Sequence, residues 1–225
     1  MEVADPVPHP ALPAVGIDMG LEHFATLSDG THIANPRHFR QGQAALVRRQ
    51  QALARKKRGS KRRRKARLLV AKAHRKIRRQ RRDFQHQTAR KLVAAHGLIA
   101  VEALQIANLV RRPAPILGVT ADEGTEVYLT NGAAAKAGLN KSIQDAGWGA
   151  FLTILGSKAE EAGCRFVTVE PAGTSQICSG CVLIVPKPLA ERWHACKQCG
   201  CSLQRDVNAA RNILARAGQA LQARA

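Results

Sequence analysis

The sequence predicts an α/β protein in which a mixed β-sheet carries a long basic helical hairpin and a small metal-binding ribbon. Three observations lead to this prediction. Two short apolar strands each run into a carboxylate, a block of 44 residues combines helical periodicity with extreme positive charge, and two Cys-x-x-Cys pairs lie near the C-terminus. The 225 residues suit one good-sized domain, or one domain that carries a small insert.

The sheet is predicted to open with an antiparallel meander. Its first strand covers residues 14–17 and ends on Asp18. Two further strands, residues 24–27 and 31–34, flank Asp29-Gly30, and Asp-Gly is a strong signal for a two-residue hairpin.

Two helices are predicted after the meander. The first starts at about residue 43 and ends at Gly59-Ser60, because Gly suits the position after a helix and Ser caps the next one. The second covers residues 61–95, where apolar or small side chains recur at steps of three, four and seven. These side chains belong to Val70, Ala73, Ile77, Phe84, Thr88 and Leu92.

The basic block, residues 48–91, contains 21 Lys or Arg and one acid, which equals the +20 charge of the whole chain. A polyanion is the expected partner, and DNA or RNA is the obvious one. The alternatives are a basic surface that serves only solubility, or an anionic membrane face. Arg outnumbers Lys in the block and no aromatic anchors are interleaved, which argues against a membrane. No secretory signal and no apolar run of about 20 residues is seen, so we expect a cytoplasmic protein.

A second strand that ends on an acid covers residues 98–101 and precedes Glu102. The Pro- and Gly-rich stretch 111–138 is interpreted as a loop or small insert with its own acids, Asp122, Glu123 and Glu126. One amphipathic helix is predicted over residues 140–163, then a strand over residues 164–169, and a last helix from Asp206 to about residue 216. The first of these helices would turn Ile143, Trp148, Phe151, Leu152 and Leu155 to the core.

Asp18, Glu102 and Asp206 are candidate active-site residues. Each has an ordinary explanation, since a strand can end on an acid where the chain leaves the core and Asp is a preferred helix cap. If the strands before Asp18 and Glu102 are parallel neighbours, however, all three carboxylates can meet. Clustered carboxylates repel one another unless a cation holds them, and oxygen ligands suit Mg²⁺ or Mn²⁺. Two such ions could stabilise the attacking and leaving oxygens of a phosphodiester displacement.

The cysteine pairs form a Cys-x₂-Cys-x₁₄-Cys-x₂-Cys quartet, which is close to the zinc-ribbon pattern. A closed four-sulfur site has no open coordination position, so we expect one structural Zn²⁺. His194 and Cys201 are the nearest substitute ligands, and Cys164 is left over. The expected ligands are Cys178, Cys181, Cys196 and Cys199.

The ordered motifs resemble the OrfB/TnpB family of insertion-sequence proteins, which are relatives of the type V CRISPR effector nucleases. The resemblance covers residues 15–216, and its motifs are weak singly but specific as an ordered set. They are VGIDMGLEHFATLSDG, LIAVEAL, SIQDAGWGAFLTILGSKAEEAG, TSQICSGC with CKQCG, and RDVNAARNIL.

The resemblance implies an RNase H-like (RuvC) nuclease domain that is interrupted by a zinc ribbon. Asp18, Glu102 and Asp206 would be its catalytic, Mg²⁺-binding carboxylates. Val182 follows Cys181 where the family usually has Gly, so the chain departs from the family in the ribbon's loop and keeps the quartet. The implied organisation is a leader (1–13), a nuclease domain (14–173 and 202–225, with the hairpin 43–95 and the insert 111–138) and a ribbon (174–201).

The implied function is that of a transposon-encoded, transposase-labelled RNA-guided DNA endonuclease, or its RuvC catalytic portion, with DNA and a guide RNA from the transposon end as partners. The alternative is a non-cleaving truncated copy that acts as a basic zinc-ribbon nucleic-acid-binding protein. The presence of all three acids favours the enzyme. A zinc-stabilised ribosomal-type protein would explain the ribbon and the basic helices, but not the acids.

The family normally carries a guide- and target-binding region before the first motif. We expect that region to be missing here, so the activity of the chain alone, like its oligomeric state, stays open.

Overall fold

The computed structural model describes residues 12–119, 126–188 and 190–223. Most of the expected leader, and the acids Asp122 and Glu123, lie outside these residues. The elements in chain order are β1 (Ala14–Met19), β2 (His23–Leu27), β3 (His32–Ala34), α1 (His38–Ala54), α2 (Lys61–Ala95), β4 (Leu98–Glu102), α3 (Ile106–Leu109), β5 (Ile116–Val119), β6 (Glu126–Leu129), α4 (Ala133–Ala146), α5 (Trp148–Glu161), β7 (Arg165–Val169), β8 (Trp193–Ala195), β9 (Ser202–Gln204) and α6 (Arg205–Gln222).

The central sheet is mixed, as predicted, and has the strand order β3-β2-β1-β4-β7. β1 is antiparallel to β2 and parallel to β4, which in turn is parallel to β7. The parallel register pairs Ile17 with Val101. Asp18 and Glu102 each follow one of these two residues, so they lie side by side on neighbouring strands.

Helices cover both faces of the sheet. On one face, α2 and α5 pack against the larger apolar core, in which Phe24, Ile99, Phe151 and Leu155 are fully buried. On the other face, α6 forms a smaller core whose buried members are Ala100, Val169, Ile213 and Ala217. Because side chains alternate along a strand, Gly16, Asp18, Ala100 and Glu102 all face α6.

The basic block forms a helical hairpin of α1 and α2, which pack against each other. α2 covers the predicted residues, and the Ser60 hydroxyl accepts a hydrogen bond from the Arg63 amide at 3.1 Å, as a helix cap does. At about 1.5 Å per residue, its 35 residues span about 52 Å. Among the described residues, no helix combines the length and the apolar content that a membrane span requires.

α1 starts at His38, earlier than the predicted residue 43, because its cap comes from a distant element. The buried Asp145 carboxylate of α4 accepts hydrogen bonds from the amides of Phe39 (2.8 Å) and Arg40 (3.1 Å). It also pairs with the Arg81 guanidinium of α2 at 3.4 Å. One carboxylate therefore ties three helices together.

One prediction about the middle of the chain is wrong. The single helix over residues 140–163 is two helices, α4 and α5. They break at Gly147, which has a left-handed φ of 70° and lies so close to Gln85 that a Cβ would come within 2.9 Å of Nε2. The stretch 111–138, interpreted as a loop or small insert, contains the β5–β6 hairpin and the start of α4.

The packing of α6 on β1 depends on Gly16. A Cβ at this position would lie 2.0 Å from the Ala210 carbonyl oxygen and 2.8 Å from the Leu214 amide nitrogen. Only a residue without a side chain allows α6 to touch the strand backbone here. Asp18 lies two residues beyond Gly16 on the same face of the strand, and Asp206 lies one turn before Ala210 on the same side of the helix. The close approach therefore sets the separation of these two acids.

We predict that Gly16→Ala separates α6 from β1 and lowers the free energy of unfolding by about 2–4 kcal/mol, because the clash involves backbone atoms. Urea denaturation followed by circular dichroism measures this loss. Gly218→Ala is the matched control: it lies in the same helix, and a Cβ there meets nothing within 4 Å. The control should gain about 0.5–1 kcal/mol from helix propensity. Equal effects of the two substitutions would show that the Gly16 contact does not hold the helix.

Candidate active site and metal centre

The three predicted carboxylates line one cavity of about 300 Å³ at the end of the sheet. Asp18 lies in β1, Glu102 ends β4, and Asp206 lies in the first turn of α6. Arg192, from the segment before β8, and Arg205 line the same cavity. The structure therefore brings together three acids that are far apart in the sequence, with two cations at the rim.

Asp206 does not cap its helix, although its position near a helix start would favour that role. α6 begins at Arg205, Gln204 occupies the cap position, and no side-chain hydrogen bond caps the helix. The Asp206 carboxylate lies one residue inside the helix and faces the cavity, where the positive end of the helix dipole favours an acid. Helix capping therefore does not explain why an acid occupies position 206.

The cavity disfavours the charged form of its acids. Burial raises the pKa of the Asp18 carboxyl well above its usual range, and the charges of Glu102 and Asp206 raise it further, while Arg205 and Arg192 act in the opposite direction. A carboxyl whose pKa is higher in the folded protein makes folding less favourable as pH rises through that pKa. A bound cation would remove this penalty.

Thr174 holds Glu102 in place. Its hydroxyl donates a hydrogen bond of 2.5 Å to Oε1 of Glu102. Burial raises the pKa of the Glu102 carboxyl, while this hydrogen bond and the charge of Arg216 act to lower it. The sequence analysis missed Thr174, which is buried in the segment between β7 and the cysteines.

The spacing of the carboxylates bears on which metal they could hold. Among the described residues, the groups of metal-type ligands whose atoms all lie within 4.8 Å of one another are two cysteine-containing clusters, and the carboxylates are spread more widely. Three oxygen donors of this kind fit hard cations such as Mg²⁺ or Mn²⁺.

Two buried asparagines of α6, also missed from the sequence, connect the acids to the ribbon. The Asn208 amide donates to the Ile177 carbonyl oxygen, and its oxygen accepts a hydrogen bond from the Ser179 amide. Asn212, one turn later, donates to the carbonyl oxygens of Thr174 and Ile177. Their i, i+4 spacing, which is visible in the sequence, places both on one face of the helix. Their partners, however, lie 29–38 residues away in the sequence.

The four predicted zinc ligands converge in the ribbon. The Sγ atoms of Cys178 and Cys199 are 3.6 Å apart, as are those of Cys181 and Cys196. A tetrahedral zinc site with Zn–S bonds of about 2.3 Å separates its sulfurs by about 3.8 Å, whereas a disulfide requires about 2.05 Å. The geometry therefore fits a four-thiolate metal site, and all four cysteines are free thiols.

Behind the quartet lies a second cluster of Cys178, His194 and Cys201. His194 is fully buried, and within the described parts of the chain its Nε2 atom has no hydrogen-bond partner under standard geometric limits. Burial acts to raise the pKa of the Cys178 thiol, but interactions with His194 and with the backbone of Gly180 and Cys181 lower it to about 5. Cys178 is therefore prepared to ligate a metal as a thiolate.

Val182 explains why a glycine suits the position after the second cysteine. Its φ of 65° is left-handed, a conformation that strains a β-branched residue. The Val182 amide donates to the Cys178 carbonyl oxygen at 2.9 Å, which closes the knuckle. The structure thus keeps the turn that the cysteines require, at the expense of local strain.

The ribbon also fixes the start of the helix that carries Asp206. β9 runs directly into α6, and the Arg205 amide donates to the Arg192 carbonyl oxygen at 2.9 Å. The Cys196 amide donates to the Cys201 carbonyl oxygen at 2.8 Å. A metal that holds the cysteines therefore holds the strand that positions Asp206.

We predict that purified protein contains about one zinc per chain and that a chelator loosens the ribbon and then the first turn of α6, because metal binding supplies the ribbon's folding energy. Hydrogen exchange should accelerate at Val207, Asn208 and Ala209 and stay slow in α2. Cys178→Ser should reproduce this effect, whereas Cys164→Ala, in the core far from the ribbon, should keep its zinc. Zinc that leaves without changing exchange in α6 would contradict a structural role.

Comparisons with known proteins find matches over most of the chain. Residues 1–112 match the OrfB_IS605 family, described as a probable transposase, and residues 148–213 match the Cas12f1-like TNB domain. The chain is 36% identical over 223 residues to "Putative RNA-guided DNA endonuclease InsQ" of Escherichia coli K12, which covers 99% of this chain and 53% of that protein. It is 36% identical over 204 residues to a "Putative RNA-guided DNA endonuclease" of Streptomyces pristinaespiralis, covering 90% of this chain and 44% of that protein.

The fold resembles that of Cas12f1, which was solved as a complex with sgRNA and target DNA. The TM-score is 0.56 at 17% identity, and the match covers 92% of this chain and 50% of that one. The chain thus spans about half the length of the curated relatives and of the solved structure. Two family matches in the expected order and relatives at 36% identity lead to one conclusion: the chain belongs to the OrfB/TnpB family of insertion-sequence proteins.

Proposed function

We propose that this chain is an RNA-guided DNA endonuclease, or the RuvC catalytic portion of one, that hydrolyses DNA phosphodiester bonds at the carboxylate cavity. The observation that carries the proposal is the convergence of Asp18, Glu102 and Asp206 on one cavity, from two parallel strands and a helix. An RNase H-like (RuvC) fold with a zinc ribbon at 174–201 is part of the same proposal. The mixed sheet and the cysteine quartet support it.

The three acids would hold two Mg²⁺ or Mn²⁺ ions, which would activate the attacking water and stabilise the leaving oxygen. The protein's own contribution is to hold the acids in place. Thr174 orients Glu102 through its hydrogen bond, and the Gly16 contact sets Asp206 against Asp18. Without cations this cluster is electrostatically costly, and such a cost is typical of a site that is built for a charged ligand.

The basic hairpin would supply the grip on nucleic acid. Its surface carries nearly all of the 21 basic residues of the block, and α2 alone spans about 52 Å. Contacts of this kind reach phosphates and do not read sequence. Sequence reading is therefore assigned to base pairing with a guide RNA, as in other guided nucleases. The names of the relatives, which describe RNA-guided DNA endonucleases, support this assignment.

The proposal predicts that Asp18→Asn, Glu102→Gln and Asp206→Asn each lower the rate of Mg²⁺-dependent DNA cleavage by at least about a hundredfold, because each removes a cation-binding charge. Binding of nucleic acid should change little, since the basic hairpin is untouched. Cleavage of matched and mismatched plasmids, with RNA transcribed from the flanking element, measures activity and guidance together. Filter binding measures affinity.

Glu160→Gln, on the exposed surface of α5, is the matched control for the loss of one carboxylate. It should cut as the unaltered protein does. Full activity in an Asp18, Glu102 or Asp206 variant would remove that residue from the site. If the unaltered protein binds nucleic acid but cuts no substrate with either metal, the chain is a binding protein and the proposed catalysis is wrong.

A further inference from the structure

A second cavity, of about 360 Å³, adjoins the carboxylate cavity and is rich in arginine. The two cavities share Leu21, Glu22 and Arg192 in their walls. Arg37 and Arg40, from the start of α1, complete the cationic lining of the second one. A strand of nucleic acid that leaves the carboxylates past Leu21 would therefore enter a cavity with three guanidinium groups.

The two acids in this cavity, Asp145 and Glu22, offset only part of the positive charge of its three arginines. Asp145 is buried, and its carboxylate already binds the amides of Phe39 and Arg40 and the guanidinium of Arg81. Glu22 is exposed at the rim, where it lies 4.0 Å from Arg192, and Arg192 also lies 4.0 Å from Asp206 of the carboxylate cavity. In water, a pair at that distance is weak and does not immobilise the arginine.

The arginines are held in place but keep donors to spare. Arg40 donates to the Ser142 hydroxyl at 2.9 Å, and Arg37 donates to the Leu21 carbonyl oxygen at 3.4 Å. Because a guanidinium has five N–H donors, these contacts anchor each side chain and leave donors for an anion. The left-handed backbone of Arg37 (φ 49°) is fixed by the Asn35 side chain, which accepts from the Arg37 amide at 3.2 Å.

We propose that this arginine-lined cavity binds a backbone phosphate of the DNA strand that is cut, next to the scissile bond. Guanidinium groups match phosphate oxygens in charge and in bidentate geometry. The carboxylate cavity alone would repel the polyanion, so an adjacent cationic subsite offsets that repulsion and fixes the strand's register. The inference rests on the proposed function, because it takes the carboxylate cavity as the place of cleavage.

A set of single-stranded DNA oligonucleotides that match the guide RNA, each with one neutral methylphosphonate linkage, tests the subsite in the presence of that RNA. In the full chain with Mg²⁺, a neutral linkage beside the scissile bond should lower kcat/KM by about 10- to 100-fold, since charge-assisted hydrogen bonds are lost. In the Arg37→Gln/Arg40→Gln variant, cleavage of the all-phosphate strand should fall by a similar factor, and the neutral linkage should cost little more. Thermal unfolding checks that the variant is folded.

Arg111→Gln/Arg112→Gln is the control, because it removes two exposed positive charges outside the cavity. It should keep the full sensitivity to the neutral linkage. If the cavity variant keeps that sensitivity as well, the subsite is wrong and the proposed cleavage stands.

Hydrogen exchange provides a readout that does not require cleavage. With Ca²⁺ in place of Mg²⁺, bound single-stranded DNA should slow exchange in residues 35–41, and Arg37→Gln/Arg40→Gln should abolish this protection. Protection without cleavage of any oligonucleotide would overturn the proposed function and keep the anion site. Protection confined to α2 would overturn the subsite whether or not the protein cuts.

Discussion

The contact between Gly16 and the Ala210 carbonyl oxygen is the constraint on which the candidate site depends. A helix that touches the backbone of a strand cannot slide or roll without a clash, so its register is fixed more tightly than side-chain packing alone would fix it. On one side of α6, Asp206 faces the cavity that also contains Asp18. On another side, Asn208 and Asn212 bind the backbone of the segment that leads into the ribbon. One missing side chain in β1 thus aligns the acids, the helix and the metal-binding ribbon as a single unit.

The net charge of +20 conceals an uneven distribution of acidic and basic residues within the molecule. The acids that matter are few, partly buried and mutually repulsive, whereas the cations are many, exposed and concentrated on two helices. A polyanion attracted by the hairpin would be repelled by the cavity unless cations or arginines intervene. Arg192 lines both the carboxylate cavity and the adjacent arginine-lined cavity. The proposed function requires a polyanion to lie beside an acidic site, and the arginines around that site would offset the repulsion.

The features predictable from the sequence were those with local causes. Strands that run into acids, a Gly-Ser boundary between helices and the spacing of two cysteine pairs are all written within short windows, and they predicted β1, β4, α2 and the quartet. The failures came from distant causes. α1 starts early because Asp145, more than 100 residues away, binds its first amides. α4 and α5 separate at Gly147, which has a left-handed backbone and whose carbonyl oxygen accepts a hydrogen bond from Gln85 of α2. Thr174 and the two asparagines act through contacts with residues that are distant in the sequence.

The left-handed Val182 has a consequence for metal supply. A left-handed conformation costs a non-glycine residue roughly 1–2 kcal/mol, and in a ribbon whose folding is coupled to its metal this cost is subtracted from the free energy of zinc binding. A loss of about 1.4 kcal/mol corresponds to a tenfold weaker apparent affinity. With zinc in the quartet, as proposed, the ribbon of this chain would fold at a free zinc concentration about ten times higher than the same ribbon with glycine. The valine would then raise the zinc level at which Asp206 reaches its place.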